Sequence, residues 1–95
     1  MDYQVKITQS GRGGTIYYRE NEQELPFGWE FAINGALLFV PSPQHWNNFC
    51  DRNHLPSTQN RRDEILERVG REVVRQKTSG GKYAIEDDYI SISFG

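Results

Sequence analysis

The sequence predicts an α+β fold: a small, mostly antiparallel sheet packed against one long and one short helix, in the order ββββααββ. Three observations predict it. Ser57 to Lys77 is the one long segment whose apolar residues recur at helical spacing, and its outer face is almost wholly charged. Short runs on either side of it alternate apolar and polar residues with period two, as half-buried strands do. Glycine, proline and asparagine punctuate those runs where turns are needed.

Tyr3, Val5 and Ile7 alternate with Gln4, Lys6 and Thr8 as a first strand, which Ser10-Gly11-Arg12-Gly13-Gly14 breaks. Thr15 to Glu20 is a second strand with Ile16 and Tyr18 on one face, and a polar loop from Asn21 to Pro26 follows. Phe27, Trp29, Phe31 and Ile33 then share a face opposite Gly28, Glu30 and Ala32, so this strand supplies the centre of the core. Asn34-Gly35 closes it with the strongest short-range hairpin signal, because both turn positions need positive φ, and Ala36 to Val40 pairs back antiparallel.

Pro41 and Pro43 end that strand. Ser42 as N-cap and Pro43 at the first helical position start a short helix running to about Arg52, with Trp46, Phe49 and Cys50 facing inward. Leu55-Pro56 links it to the long helix, whose apolar stripe is Ile65, Leu66, Val69, Val73 and Val74. Gly70 beside that stripe costs about 1 kcal/mol against alanine, so close packing on the sheet is its expected purpose. Glu64 with Arg68 and Glu67 with Arg71 are i, i+4 pairs on the outer face. Ser79-Gly80-Gly81 ends the helix, and Lys82 to Glu86 and Tyr89 to Phe94 form a last hairpin around Asp87-Asp88.

At 95 residues the chain is read as one domain, 1–95, which buries about 60–70% of its unfolded surface and folds without disulfide or metal staples. The single cysteine, Cys50, forms no internal disulfide, and no signal pattern follows Met1, so a reducing cytoplasm is the expected location. The longest apolar run, Ala36 to Val40, is strand-sized, so no membrane span is expected. The net charge of −2 is unevenly spread. From Arg61 to Lys82 seven Lys/Arg face four Asp/Glu, residues 1–60 carry four bases and six acids, and the remainder adds three acids. Such asymmetry orients a partner but does not by itself imply nucleic acid. Glu20, Glu22 and Glu24 read as a solvated acidic loop.

Candidate chemistry is sparse. His45, Cys50 and His54 lie close in sequence, and Cys50 with His54 has i, i+4 spacing, but structural zinc needs four ligands in recognisable pairs and there is no second cysteine. No metal and no cofactor is expected. A thiol near two imidazoles raises a nucleophile reading, yet Cys50 shares its helical face with Trp46 and Phe49 and should point into the core as an inert thiol. No catalytic residue is assigned. The Ser10-to-Thr15 glycine loop joins two strands rather than leading into a helix, so it reads as a hairpin turn and not a phosphate cradle. Arg61, Arg68, Arg71 and Arg75 make a helical row that could track phosphates, interrupted by Glu64, Glu67 and Glu72.

The aromatic strand "WEFAI", the hairpin into "LLFVPSPQHW", the helix "RRDEILERVGREVVRQK" and the closing "KYAIEDDYISISF" together resemble the small single-domain immunity proteins of bacterial polymorphic toxin systems. The resemblance spans Trp29 to Ile92, about two-thirds of the chain, and rests on element order and a tryptophan after a proline turn. It implies a cytoplasmic protein that binds and neutralises one cognate toxin, and it brings no residue-level motif.

The resulting expectation is a non-enzymatic protein-binding domain, in the immunity reading an inhibitor of a bacterial toxin. Arg68, Arg71 and Arg75 are its expected contacts, with Trp46 as an anchor if its ring is exposed. The alternative is a nucleic-acid-binding module using the basic helix 58–77. A small enzyme centred on Cys50 and His45 is a third reading. Monomer and homodimer are both open, because the first hairpin leaves an edge strand.

Overall fold

The computed structural model describes residues 2–95. Its elements are β1 (Tyr3–Ser10), β2 (Gly13–Glu20), β3 (Gln23–Ala32), β4 (Gly35–Phe39), α1 (Trp46–Arg52), a 3-10 turn over Pro56–Thr58, α2 (Arg62–Lys77), β5 (Lys82–Ile85) and β6 (Tyr89–Ser93). The order ββββααββ is therefore the observed one. All six strands form one antiparallel sheet, arranged β1-β2-β3-β4-β6-β5.

Short turns tighten the first three hairpins beyond the sequence expectation. Asn21 and Glu22 both take positive φ, 52° and 64°, so a two-residue turn replaces the expected loop from Asn21 to Pro26. Gln23 to Pro26 then belong to β3, and Leu25 is fully buried. The third turn uses Ile33 and Asn34, one residue earlier than Asn34-Gly35, with Ala32 paired to Gly35. Only Asn34 of the two has positive φ, at 59°. Gly35 instead starts β4 at a point where a Cβ would lie 1.8 Å from the Ile92 carbonyl oxygen. The glycine answers a need for close backbone approach, not for turn geometry.

The short helix also starts later than expected. Ser42 and Pro43 do not cap it: the Ser42 carbonyl accepts from the His45 N–H at 3.0 Å, and His45 is the N-cap, without a side-chain capping bond. The long helix begins at Arg62 and not near Ser57, because Pro56–Thr58 close as a separate 3-10 turn and Asn60 takes φ 62°.

Both helices lie on one face of the sheet. α2 approaches β5 and β6 at one edge and β1 at the opposite edge, so the sheet curls about the helix. Gly70 permits that approach, since a Cβ there would stand 2.6 Å from the Tyr83 ring. Across the middle strands the space is filled by large side chains, with Ile16, Leu25, Phe27, Leu38, Ile65, Leu66, Val69 and Ile90 all essentially inaccessible. Phe27 stacks with Trp46 and Phe49 at centroid distances of 6.2 and 5.5 Å, which seats α1 beneath the same face. The reverse face is open and carries Tyr17, Leu37, Phe39 and Tyr89.

Candidate functional site

The arginines singled out in the sequence are mostly engaged within the molecule. Glu20 ends β2 at 2% exposure and is the anchor of a charged cluster. Arg61 grips it with both terminal nitrogens, at 2.9 and 3.1 Å, and Tyr18 donates its hydroxyl to it at 2.6 Å. Arg68 donates to Tyr18 Oη at 2.7 Å, pairs with Glu64 at 3.1 Å and lies over the Tyr3 ring at 4.7 Å. Arg75 pairs with Glu72 at 2.7 Å. Arg71 is exposed, on the side of α2 near Tyr83, whose hydroxyl donates to Glu67. The expected Glu64–Arg68 pair thus forms, whereas Glu67 is bonded by Tyr83.

Charge and burial set the protonation of this cluster. Burial alone would push the Glu20 carboxyl up, but the hydrogen bonds from Arg61 and Tyr18 and the charges of Arg61 and Arg68 outweigh it and hold the group below its ordinary value. Burial, reinforced by the Glu20 carboxylate, pushes the Tyr18 phenol up to about 12. The cluster is a lock between α2 and the far end of β2, and the sequence reading of Glu20 as a solvated acid is corrected. Glu22 and Glu24 are exposed as expected.

Trp46 is 2% exposed and donates its indole N–H to the Thr58 carbonyl at 2.9 Å. The condition set for it as an anchor, an exposed ring, is not met. Cys50 is fully buried and burial pushes its thiol up, while His45 and His54 are exposed and His54 lies beyond the end of α1. The i, i+4 pair of Cys50 and His54 is therefore not presented on one helical face. Among the described residues no three of His, Cys, Asp and Glu group to hold a metal ion, and no helix is long and apolar enough to cross a membrane.

A different site lies at the opposite end of the sheet. The register brings together the β1–β2 turn at Gly11-Arg12, the β3–β4 turn at Ile33-Asn34, the end of β6, the start of β5 and the last turn of α2. Ile33 is 95% exposed there, and Phe31 and Phe94 are each 38% exposed. Trp29 meets Phe31 edge-on at 4.9 Å, and Phe31 meets Phe94 edge-on at 6.3 Å. Backbone bonds hold the tip from two sides: the Phe31 N–H donates to the Arg12 carbonyl at 2.8 Å and the Phe94 N–H to the Asn34 carbonyl at 3.1 Å.

Behind these aromatics the curled sheet leaves a cavity of about 200 Å³ under α2, walled by Ile7, Ile16, Trp29, Leu38 and Val73, with Gln9 and Lys77 at its polar margin. Its indole wall offers no free donor, because Trp29 Nε1–H is given to the Thr8 carbonyl at 2.9 Å. The Thr8 backbone reaches that position by passing over Gly14, where a Cβ would stand 2.0 Å from the Thr8 oxygen. Sequence reasoning placed Phe31 and Ile33 in the core by extending the period-two pattern. The one-residue shift places Ile33 in the turn, where it is exposed, whereas Phe31 keeps the Trp29 face and is half-covered at the open end of the sheet.

Compared with known protein families, curated proteins and solved structures, the chain matches none.

Proposed function

We propose that the chain is a non-enzymatic protein-binding domain that docks through the apolar end of its sheet. The observation that carries this reading is Ile33, almost fully exposed at the same end of the sheet as the half-covered, mutually packed rings of Phe31 and Phe94. Clustered apolar groups of this kind mark interaction surfaces when they are contiguous and rigid. The turn is tied to β1–β2 and to the end of β6 by backbone bonds, so little ordering is lost when a partner covers it. The resemblance to immunity proteins extends the proposal to an inhibitor of a bacterial toxin, which needs a complementary surface and no catalytic group.

The arginine face supports this reading less well than the sequence suggested, since Arg68 and Arg75 already have carboxylate partners. The nucleic-acid alternative requires cations of the helix 58–77 to be available to phosphates, and the same pairs oppose it. The test is a titration of the wild type and two variants against a purified protein partner. Ile33→Asp should weaken binding at least tenfold, about 1.4 kcal/mol, while Arg71→Glu with Arg75→Glu should weaken it less than threefold. Unchanged affinity for Ile33→Asp would remove the apolar end as the surface.

A further inference from the structure

Resting on that reading of the apolar end, we infer that the cavity under α2 is an anchor pocket for one large apolar side chain of the partner, presented on an acidic segment. Size argues for a side chain. About 200 Å³ accommodates an aromatic ring or a branched aliphatic group but not an extended helix or strand. Polarity argues for an apolar one. The walls are Ile7, Ile16, Leu38, Val73 and the ring of Trp29, and the Trp29 indole N–H, the polar group of that wall, is already satisfied by Thr8.

Charge argues for acidic flanks. Lys77 lies on the cavity margin and Arg12 in the adjoining turn, and no ion pair engages either of them among the described residues, while Lys82 at the start of β5 belongs to the open face, since its neighbour Tyr83 packs on α2. Among the described residues, Glu30 is the acidic side chain at this end, opposite Gly13 and on the open face of the sheet. The other carboxylates lie along α2 or toward the far end, as with Glu22, Glu24, Asp87 and Asp88. A ring entering past the Phe31–Phe94 pair would carry its neighbouring residues across this unpaired rim of Lys77 and Arg12. Apolar burial would hold the anchor, and the carboxylates would select the orientation.

The experiment titrates ¹⁵N-labelled protein with the pentapeptide acetyl-Asp-Asp-Phe-Asp-Asp-amide and follows two indole N–H signals. Trp29 lines the pocket, and Trp46 lies in the other half of the core as an internal control. The Trp29 signal should move saturably, at peptide concentrations on the order of 1 mM, while the Trp46 signal stays still. Lys77→Gln, an exposed change that leaves the fold intact, should weaken binding about threefold, as a surface ion pair permits. Val73→Phe should fill the cavity and abolish it.

Replacing the peptide's phenylalanine by glycine should abolish the shift, and replacing its acids by lysine should weaken it. Equal response to the glycine peptide, no response to the parent peptide, or indifference to Lys77→Gln would overturn the inference. Equal affinity for free 3-phenylpropionate would overturn it in favour of a small acid, and peptide-free, concentration-dependent shifts would do so in favour of a second copy of the chain. Failure here leaves the Ile33→Asp result standing, so the pocket and the surface are judged separately.

Discussion

Glu20 shows how a single side chain can be misread from local sequence. Its neighbours in the chain are polar, but its partners, Arg61 and Arg68, stand 41 and 48 residues away and arrive only when α2 packs on the sheet. Because its folded pKa is lowered, the unfolded chain binds more protons between that depressed value and the ordinary 4.5. Stability from Glu20 is therefore complete above about pH 4.5 and is lost as pH falls through the folded value, with contributions of the same sign from Glu64 and Glu72. Glu20→Gln should cost about 3 kcal/mol at pH 7, as breaking a buried pair does, and should flatten the acid limb of urea midpoints measured from pH 3 to 7. An unchanged acid limb would show that Glu20 does not govern it. Cys50, by contrast, was read correctly from its helical face. Its thiol should react with a disulfide reagent no faster than the protein opens, and a rate above the opening rate would contradict its burial.

At the scale of the element, periodicity located the strands and helices well, and their ends poorly. The alternation Phe27, Trp29, Phe31, Ile33 is continuous in sequence, so nothing in it announces that the strand stops at Ala32. The turn at Ile33-Asn34 stops it, with Asn34 at φ 59°, and Gly35 is required where β4 then passes the Ile92 carbonyl, a contact between segments 57 residues apart. Gly35→Ala should therefore cost about 3 kcal/mol or prevent folding, as overpacking against backbone does, whereas Gly28→Ala should stay within about 0.5 kcal/mol, since its Cβ would meet only Phe39 at 3.9 Å. Equal effects in denaturant titrations would refute the distinction. The expected packing role of Gly70 was legible from its position in the apolar stripe, although its partner Tyr83 was not. Gly70→Ala should destabilise by about 1–3 kcal/mol despite the better helix propensity of alanine. Much of that loss should return in the double variant with Tyr83→Ala, giving a coupling above about 0.5 kcal/mol in the cycle.

For the whole molecule, the fold class and the element order could be read directly because they depend on local pattern, which the sequence carries in full. The site could not, because it is assembled from the β1–β2 turn, the β3–β4 turn, the end of β6 and the last turn of α2, and only the register of the sheet brings those together. The same topology places Arg12, Lys77 and Lys82 at one end of the sheet, and Glu22, Glu24, Asp87 and Asp88 at the other together with Arg61 and Arg62. Ile33→Asp tests the site against the fold. At 95% exposure it should leave stability within about 0.5 kcal/mol of wild type by thermal denaturation while it removes partner binding. A large loss of stability would mean that the residue serves the fold after all.

The curl of the sheet has a consequence for what kind of complex is open to the protein. Where the outer rim of β1 comes up beside α2, the Gln76 side-chain amide donates to the Val5 carbonyl at 3.0 Å, occupying an acceptor that an incoming strand would need. The other rim, β5, is only four residues long. Strand addition is thereby discouraged at both margins, both as a route to aggregation and as a mode of recognition. Under the proposed binding role a partner is left to read side chains, so specificity would rest on the identity of a few projecting groups and could be rewritten by substitution without disturbing the ladder beneath them.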